Sequence, residues 1–316
     1  MDDLAGGRRP RNRHVLVIHN PAAGRRRQRR LAATLHALRS HDCTFELRAT
    51  TRGGDAEAIV RSAAAGYDAV VAAGGDGTIN EVVNGLVTLA PPRPALAVIP
   101  LGTANVLATE LGLTGRPAQT ARVIATAPPR PLHLGMAADR HFVMMASAGF
   151  DAQVVADLSL ARKRQAGRLA YVMEALEQLW RYPYPPLRVV ADDTEYEAFT
   201  VVACNGRHYG GPFVAAPAAD LGRPELQVVM LRRGGWRATV RYTLALAAGR
   251  LSRLPDVTIV AARRLTISGP PGAPVQADGD LVATLAVDIA VAERSVTVLA
   301  PASSQCRSQA RYGPSY

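Results

Sequence analysis

The chain has 316 residues, 48% of them hydrophobic and 20% charged, the balance of a globular protein with room for one large domain or two. Three widely spaced cysteines, Cys43, Cys204 and Cys306, exclude a disulfide framework and metal-type spacing and fit a reducing compartment. The net charge of +11 favours acidic partners, and the absence of an apolar leader or a long apolar run gives no sign of a signal peptide or spanning helix.

Residues 1–13 are polar and basic and read as a loose arm. His14–His19 reads as a strand, Arg27–Ser40 as a helix with Leu31, Leu35 and Leu38 at helical spacing, and Cys43–Arg48 as a strand. Then come a helix over 54–66, a strand over 68–73, a helix over 78–89, a strand over 95–99 and a helix over 104–111. This alternation predicts an α/β unit over residues 14–130, built on a doubly wound parallel sheet.

Beyond residue 130 the pattern changes. Residues 131–138 and 141–148 read as paired strands turning at 138–140, and a helical stretch is expected from Asp151 to Tyr182, interrupted by the basic segment 162–168. Short strands follow at 187–192, 195–204, 226–231, 257–260, 264–268, 281–291 and 295–299, with one helix over 236–251. These predict a β-rich sandwich domain over 131–300, with 301–316 as a tail.

Four elements fall at the carboxyl ends of predicted strands, where such sheets bind ligands. They are Asn20-Pro21-Ala22-Ala23-Gly24, Thr50 to Gly54, Gly74-Gly75-Asp76-Gly77-Thr78, and Pro100 to Asn105 with Gly102 and Thr103 inside it. Glycines let backbone N–H groups approach a phosphate, and the helix that follows each loop adds its positive end. Taken singly, each is a turn or a cap; four on one sheet edge predict a phosphate site. Asp76 is the odd member, since phosphates repel a carboxylate, and a divalent cation or a ligand hydroxyl would account for it.

The run Arg25-Arg26-Arg27-Gln28-Arg29-Arg30 allows a solvated helix face, nucleic acid, or anionic lipid and ATP phosphates as partners. No aromatics are interleaved, so nucleic acid is not expected. Asp278-Gly279-Asp280 suggests either an acidic hairpin tip or a pair of working carboxylates. His208 reads as a surface-loop histidine, and Trp180 to Tyr184 as the end of a core helix.

The string Gly74 to Gly85, followed by Ile99-Pro-Leu-Gly-Thr-Ala-Asn105, resembles the diacylglycerol kinase catalytic-domain family, which includes bacterial diacylglycerol kinases and sphingosine kinases. The likeness continues through Asn20 to Gly24, Gly149 to Ala152, Gly167 to Tyr171, Asn205 to Gly211 and Asp278 to Asp280, over roughly residues 14–300. Gly-Gly-Asp-Gly alone is shared with NAD kinases and phosphofructokinases, so an NAD kinase-like enzyme and a non-catalytic nucleotide or lipid-binding module stand as alternatives. The resemblance implies an ATP- and Mg²⁺-dependent lipid kinase, cytoplasmic and in peripheral contact with an anionic membrane, acting on a diacylglycerol or sphingoid-type hydroxyl. It implies ATP-binding segments at Asn20 to Gly24, Thr50, Gly74 to Asn80 (Ile79 included) and Thr103, with Gly102 and Asn105 in the same loop. Asp278 and Asp280 match its catalytic Asp-Gly-Glu motif, and which of them is the base stays open. Asp76 becomes a nucleotide or Mg²⁺ organiser. A structural Mg²⁺ segment of many bacterial members corresponds to Asp220 to Leu226, where Arg223 replaces an Asp, so an intact site is not expected. Oligomeric state, a homodimer included, stays open.

Overall fold

A computed structural model describes residues 12–301 except 22–23, 114, 158–176 and 178. Ala22, Ala23, the basic residues Arg162, Lys163, Arg164 and Arg168, the Gly167–Tyr171 motif, Cys306 and almost all of both tails lie outside the described residues.

The first half runs β1 (His14–His19), α1 (Arg25–Arg39), β2 (Thr44–Ala49), α2 (Asp55–Ala63), β3 (Ala69–Gly74), α3 (Asp76–Leu86), β4 (Ala95–Pro100), α4 (Val106–Glu110), α5 (Pro117–Thr126) and β5 (Pro129–Leu132). The second half runs β6 (Gly135–Ala137), β7 (Arg140–Phe142), β8 (Met145–Gly149), α6 (Phe150–Asp157), β9 (Leu187–Ala191), β10 (Thr194–Ala198), β11 (Thr200–Cys204), β12 (His208–Tyr209), β13 (Phe213–Val214), β14 (Leu226–Leu231), α7 (Trp236–Ala247), β15 (Val257–Ala262), β16 (Arg264–Ser268), β17 (Pro274–Ala277), β18 (Asp280–Thr284), β19 (Val287–Val291) and β20 (Val296–Leu299).

The first sheet has the order β2-β1-β3-β4-β20-β5. Strands β1 to β4 are parallel, as the alternation predicts. Strands β3 and β4, Ala-Val-Val-Ala-Ala-Gly and Ala-Leu-Ala-Val-Ile-Pro, are buried at every residue because helices cover both faces of a central parallel strand. At the edge, β2 carries Glu46 and Arg48, whose charges discourage further pairing. Helix α1 docks through Leu31, Thr34 and Leu38. Helix α5, which the sequence reading leaves without an element, starts on Pro117 and packs against α1. Neighbours β1 and β3 are not consecutive in the chain, so the crevice between their carboxyl ends is the switch point where such sheets hold ligands.

Besides a small β12-β13 ribbon, the second half forms two six-stranded antiparallel sheets, β10-β9-β16-β19-β6-β7 and β15-β14-β11-β8-β17-β18. Their facing residues, among them Phe142, Val189, Val201, Val228, Ile267, Val275 and Ile289, make one apolar core. Three runs that read as single strands or a simple pair divide between sheets. Residues 195–204 split at Phe199 into β10 and β11, and 281–291 split into β18 and β19. Residues 131–148 split into β5, β6, β7 and β8, although the turn at Ala138 and Asp139 stands where it was expected. A strand that turns a corner from one sheet to the next keeps its apolar pattern, so periodicity does not reveal the corner. The last strand, β20, leaves the sandwich and pairs parallel with β4 and antiparallel with β5. Among the described residues no helix is long and apolar enough to cross a membrane.

Candidate active site

The carboxyl ends of β1 to β4 bring the four glycine and threonine elements to one edge. The two inner loops touch backbone to backbone: a Cβ on Gly102 would lie 2.4 Å from the Cα of Gly75. Gly102 cannot be exchanged without parting the loops, and a Cβ on Gly75 would be tight against Gly102 at 3.1 Å. The Gly74 carbonyl accepts from the amides of Leu101 (2.9 Å) and Gly102 (3.1 Å). Asn105 closes its own loop, its Oδ1 accepting from the Gly102 amide and its Nδ2 donating to the Gly102 carbonyl, both at 2.8 Å. Thr78 packs on Gly74, where any Cβ would meet its hydroxyl at 2.4 Å. Thr50 is buried, its hydroxyl 3.4 Å from the His19 carbonyl, and Thr103 is exposed. Asn20, Pro21 and Gly24 line the β1 end of the crevice, where Gln28 donates to the Pro21 carbonyl at 3.0 Å.

The basic run opens α1 two residues earlier than its periodicity suggests, with Arg25, Arg26 and Arg27 in the first turn and no acidic residue there. Cations at a helix N-terminus oppose its dipole by about 0.3–1 kcal/mol each. A polyanion placed there turns that cost into attraction. Arg27 already reaches the fourth loop, its guanidinium donating to the Thr103 hydroxyl at 3.2 Å.

Asp76 is held by the protein itself. Its Oδ1 accepts from the Val106 amide at 2.7 Å, and the Asn105 and Leu107 amides also bear on the carboxylate. Burial pushes its carboxyl up, and those amides pull it back. The contacts of Asp76 are therefore those of a cap on α4, and this places the carboxylate that the phosphates would repel. The lone pairs expected to organise metal are committed largely to backbone N–H groups. Among the described residues no cluster of three His, Cys, Asp or Glu could hold a metal ion. In the segment 220–226, Arg223 lies 3.7 Å from Asp220, whose Oδ1 accepts from the Gly222 amide at 2.9 Å, and Glu225 accepts from Gln227 at 3.0 Å.

Two residues that the resemblance groups with ATP face the other way. Ile79 is fully buried in the core. Asn80 donates through Nδ2 to the His141 carbonyl at 3.0 Å and to Asp278 Oδ2 at 2.9 Å. Asp278 sits at φ 49° in the β17–β18 turn, an uncommon conformation for a side-chain-bearing residue. Its carboxylate also accepts the amides of Val143 (2.7 Å), Met144 (2.9 Å) and Met145 (3.2 Å). Burial raises its carboxyl, and these donors counter the rise. Asp280, two residues on, is exposed at the start of β18. One helix thus carries the glycine loop at its start and the grip on Asp278 one turn later.

Several participants were not singled out in the sequence. Asn84, one turn beyond Asn80, exchanges hydrogen bonds with the His141 backbone at 3.1 and 3.2 Å. Arg140 bridges Glu57 (2.7 Å) to Asn80 Oδ1 (3.3 Å). Gln276 fixes the turn by accepting from the Gly279 amide at 2.8 Å, and it donates to Ser147 (2.7 Å) and Asp151 (3.0 Å). Tyr209 also donates to Asp151. His208 is not a solvated loop residue: its side chain is 15% exposed, and its Nδ1 lies 2.5 Å from Glu110. Asp151, His208 and Tyr209 lie inside the motifs Gly149 to Ala152 and Asn205 to Gly211, and the Asn80/Asn84 spacing of four puts two amides on one helix face. The other contacts join residues far apart in the chain. Burial pushes the Cys204 thiol up to about 12, which keeps it inert.

The parallel sheet, its glycine edge and the attached sandwich define a nucleotide-handling kinase fold. The diacylglycerol kinase catalytic domain matches residues 14–137, and the YegS C-terminal NAD kinase beta sandwich-like domain matches residues 144–300. A Pseudomonas putida protein named a probable lipid kinase YegS-like is 33% identical over 69% of this chain and 73% of its own length. A diacylglycerol kinase from Bacillus subtilis is 28% identical over 90% of this chain and 95% of its own. A solved structure of a diacylglycerol kinase from Bacillus anthracis superposes with a TM-score of 0.74 at 23% identity, over 92% of this chain and 98% of that one, and so shares the fold. The chain belongs to the diacylglycerol kinase catalytic-domain family of ATP-dependent kinases.

Proposed function

We propose that the chain transfers the γ-phosphoryl group of ATP, carried as its Mg²⁺ complex, to a hydroxyl of a diacylglycerol- or sphingoid-type lipid. The observation that carries this reading is the 2.9 Å hydrogen bond from Asn80 to Asp278. It joins residues 198 positions apart and ties the helix behind the glycine loop to the Asp278-Gly279-Asp280 turn. Donor and acceptor chemistry then share one rigid frame.

In this reading the backbone amides of 74–78 and 100–103, the N-terminal ends of α1 and α3, and Arg27 receive the phosphates. Thr50, Thr103 and the 20–24 turn complete the nucleotide side. Mg²⁺ would arrive with the nucleotide and supply charge neutralisation to its phosphates, since no acidic cluster among the described residues is built to hold it. Phosphoryl transfer proceeds through a loose transition state in which positioning and charge stabilisation contribute most. Asp280 takes the proton of the acceptor hydroxyl as its oxygen bonds the γ-phosphorus. The bond from that phosphorus to the bridging oxygen breaks, and its electrons leave with ADP. Asp278, with four donors on its two oxygens, is a positioning residue. Residues 14–130 would serve the nucleotide and 131–300 the acceptor, with β20 contributed back to the nucleotide sheet. A lipid acceptor puts the enzyme at the cytoplasmic membrane surface.

Radiolabelled ATP, Mg²⁺ and a panel of diacylglycerol, sphingoid and glycerophospholipid acceptors test the reading. A labelled lipid is expected with the wild type, and Asp280→Asn should lower its formation at least about a hundredfold. Phosphorylation of NAD with no lipid product, or full activity in Asp280→Asn, sinks it.

A further inference from the structure

Helix α7 is poorly explained by the fold it belongs to. Over its 12 residues only Tyr242 is buried. Trp236, Val240 and Leu244 are spaced by four, so they form one stripe along the helix. Leu244 is 65% exposed and Trp236 39%. Trp180, 70% exposed, packs against Trp236 in a tilted pair with ring centroids 4.6 Å apart. The reading of Trp180 as a core residue is therefore corrected: nearby Tyr182 takes the buried place, packed on Phe150. Scattered surface leucines are ordinary, whereas two water-facing indoles in contact, continued by a leucine two helical turns away, form a patch.

The chain around α7 is strongly basic, and beside Trp180 the carboxylate of Glu177 is paired with Arg181. Between positions 232 and 256 the chain has six arginines and a single acidic residue, Asp256. That carboxylate is taken by Arg241, by Arg233 at 3.6 Å and by Tyr242 at 2.7 Å. Arg237 lies over the Trp236 ring at 5.2 Å. Indoles at an apolar–polar boundary, a leucine below them and arginines beside them are the composition of an interfacial helix. An acidic protein partner would satisfy the arginines, but the unpaired apolar stripe asks for acyl chains as well.

We infer that Trp180, Trp236 and Leu244, flanked by Arg237 and Arg241, form the face that docks this protein on an anionic lipid bilayer. The inference rests on the lipid-kinase reading for its purpose and on the α7 face for its place. Docking there delivers the enzyme to a substrate that stays in the membrane, and the arginines hold it to anionic headgroups while the indoles enter the interface.

The chain holds two tryptophans, and both are in this patch, so selectively excited tryptophan fluorescence of the full-length protein reports on this face alone. Titration with phosphatidylcholine–phosphatidylglycerol vesicles should shift the emission to the blue, and brominated acyl chains should quench it. Phosphatidylcholine alone should do neither, and added salt should weaken the response. By vesicle sedimentation, Arg237→Glu should lower partitioning by roughly 25-fold, about fivefold for each unit of charge. Leu244→Ser with Trp180→Ala should lower it about tenfold or more. All these variants should keep wild-type turnover on a short-chain acceptor dissolved as monomer. An unshifted emission with anionic vesicles, or wild-type partitioning of the Arg237→Glu protein, overturns the inference. So does a blue shift that grows with protein concentration without vesicles, which would mean that a second copy covers the face. Vesicle binding without any lipid phosphorylation would sink the kinase reading and leave the docking face standing.

Discussion

Asp278 and Asp280 look equivalent in the sequence, and their surroundings predict opposite consequences of neutralising them. In Asp278→Asn an NH₂ group replaces one carboxylate oxygen. Whichever oxygen is replaced, the new group points at two N–H donors, either Asn80 and Val143 or Met144 and Met145. Two hydrogen bonds to a charged acceptor are lost, each contributing roughly 1.5–3 kcal/mol, and buried donors are left facing each other. Relief of the buried charge offsets part of this, so a net loss of about 3–4 kcal/mol is expected, a large share of the roughly 5–15 kcal/mol of a whole domain. Asp280 is exposed, and Asp280→Asn should change stability by no more than about 0.5 kcal/mol. Urea denaturation followed by circular dichroism measures both, alongside lipid phosphorylation below the transition. Asp278→Asn should lose stability and activity together; Asp280→Asn should lose activity alone. An Asn80→Ala and Asp278→Ala double-mutant cycle should return a coupling of about 1–3 kcal/mol. Wild-type stability in Asp278→Asn, or zero coupling in the cycle, refutes the assignment of Asp278 as an anchor.

Other outcomes follow from the same geometry. Gly102→Ala drives a methyl group against the Gly75 backbone; a loss of about 1–3 kcal/mol and no calorimetric heat of ATP binding are expected. Arg27→Ala removes an exposed side chain that reaches Thr103, so the urea midpoint should hold while ATP affinity by calorimetry falls about five- to tenfold. Asp55 has its carboxyl pulled down to about 2 by the Thr51 hydroxyl and the Thr51 and Arg52 amides. Its folded value lies below its unfolded value, so its stabilisation is complete above about pH 4 and disappears as the pH falls through about 2. The stability difference between wild type and Asp55→Asn, followed by urea midpoint against pH, should vanish across that window; a difference that persists at the acid end contradicts the assignment.

The sequence by itself determined the parallel sheet, because a buried parallel strand needs a continuous apolar run and each crossover needs a helix, and both leave period and composition behind. It also placed the glycine loops on one sheet edge, since the close backbone approach at Gly102 leaves no room for a Cβ. Helix α5 was missed because its Ala- and Thr-rich stretch, Pro117 to Thr126, has too few large apolar residues to mark a face. The corners at Phe199 and at 285–286 were missed because a strand changes sheets without changing its alternation. Only the tertiary structure gave Asp76 to α4 and Asp278 to Asn80 and the 143–145 amides, and only it moved β20 into the first sheet and turned Trp180 outward. Each of these depends on which distant group meets a side chain. A carboxylate at a ligand and a carboxylate on protein amides are written with the same letter, and the partners of Asp278 lie more than a hundred residues away.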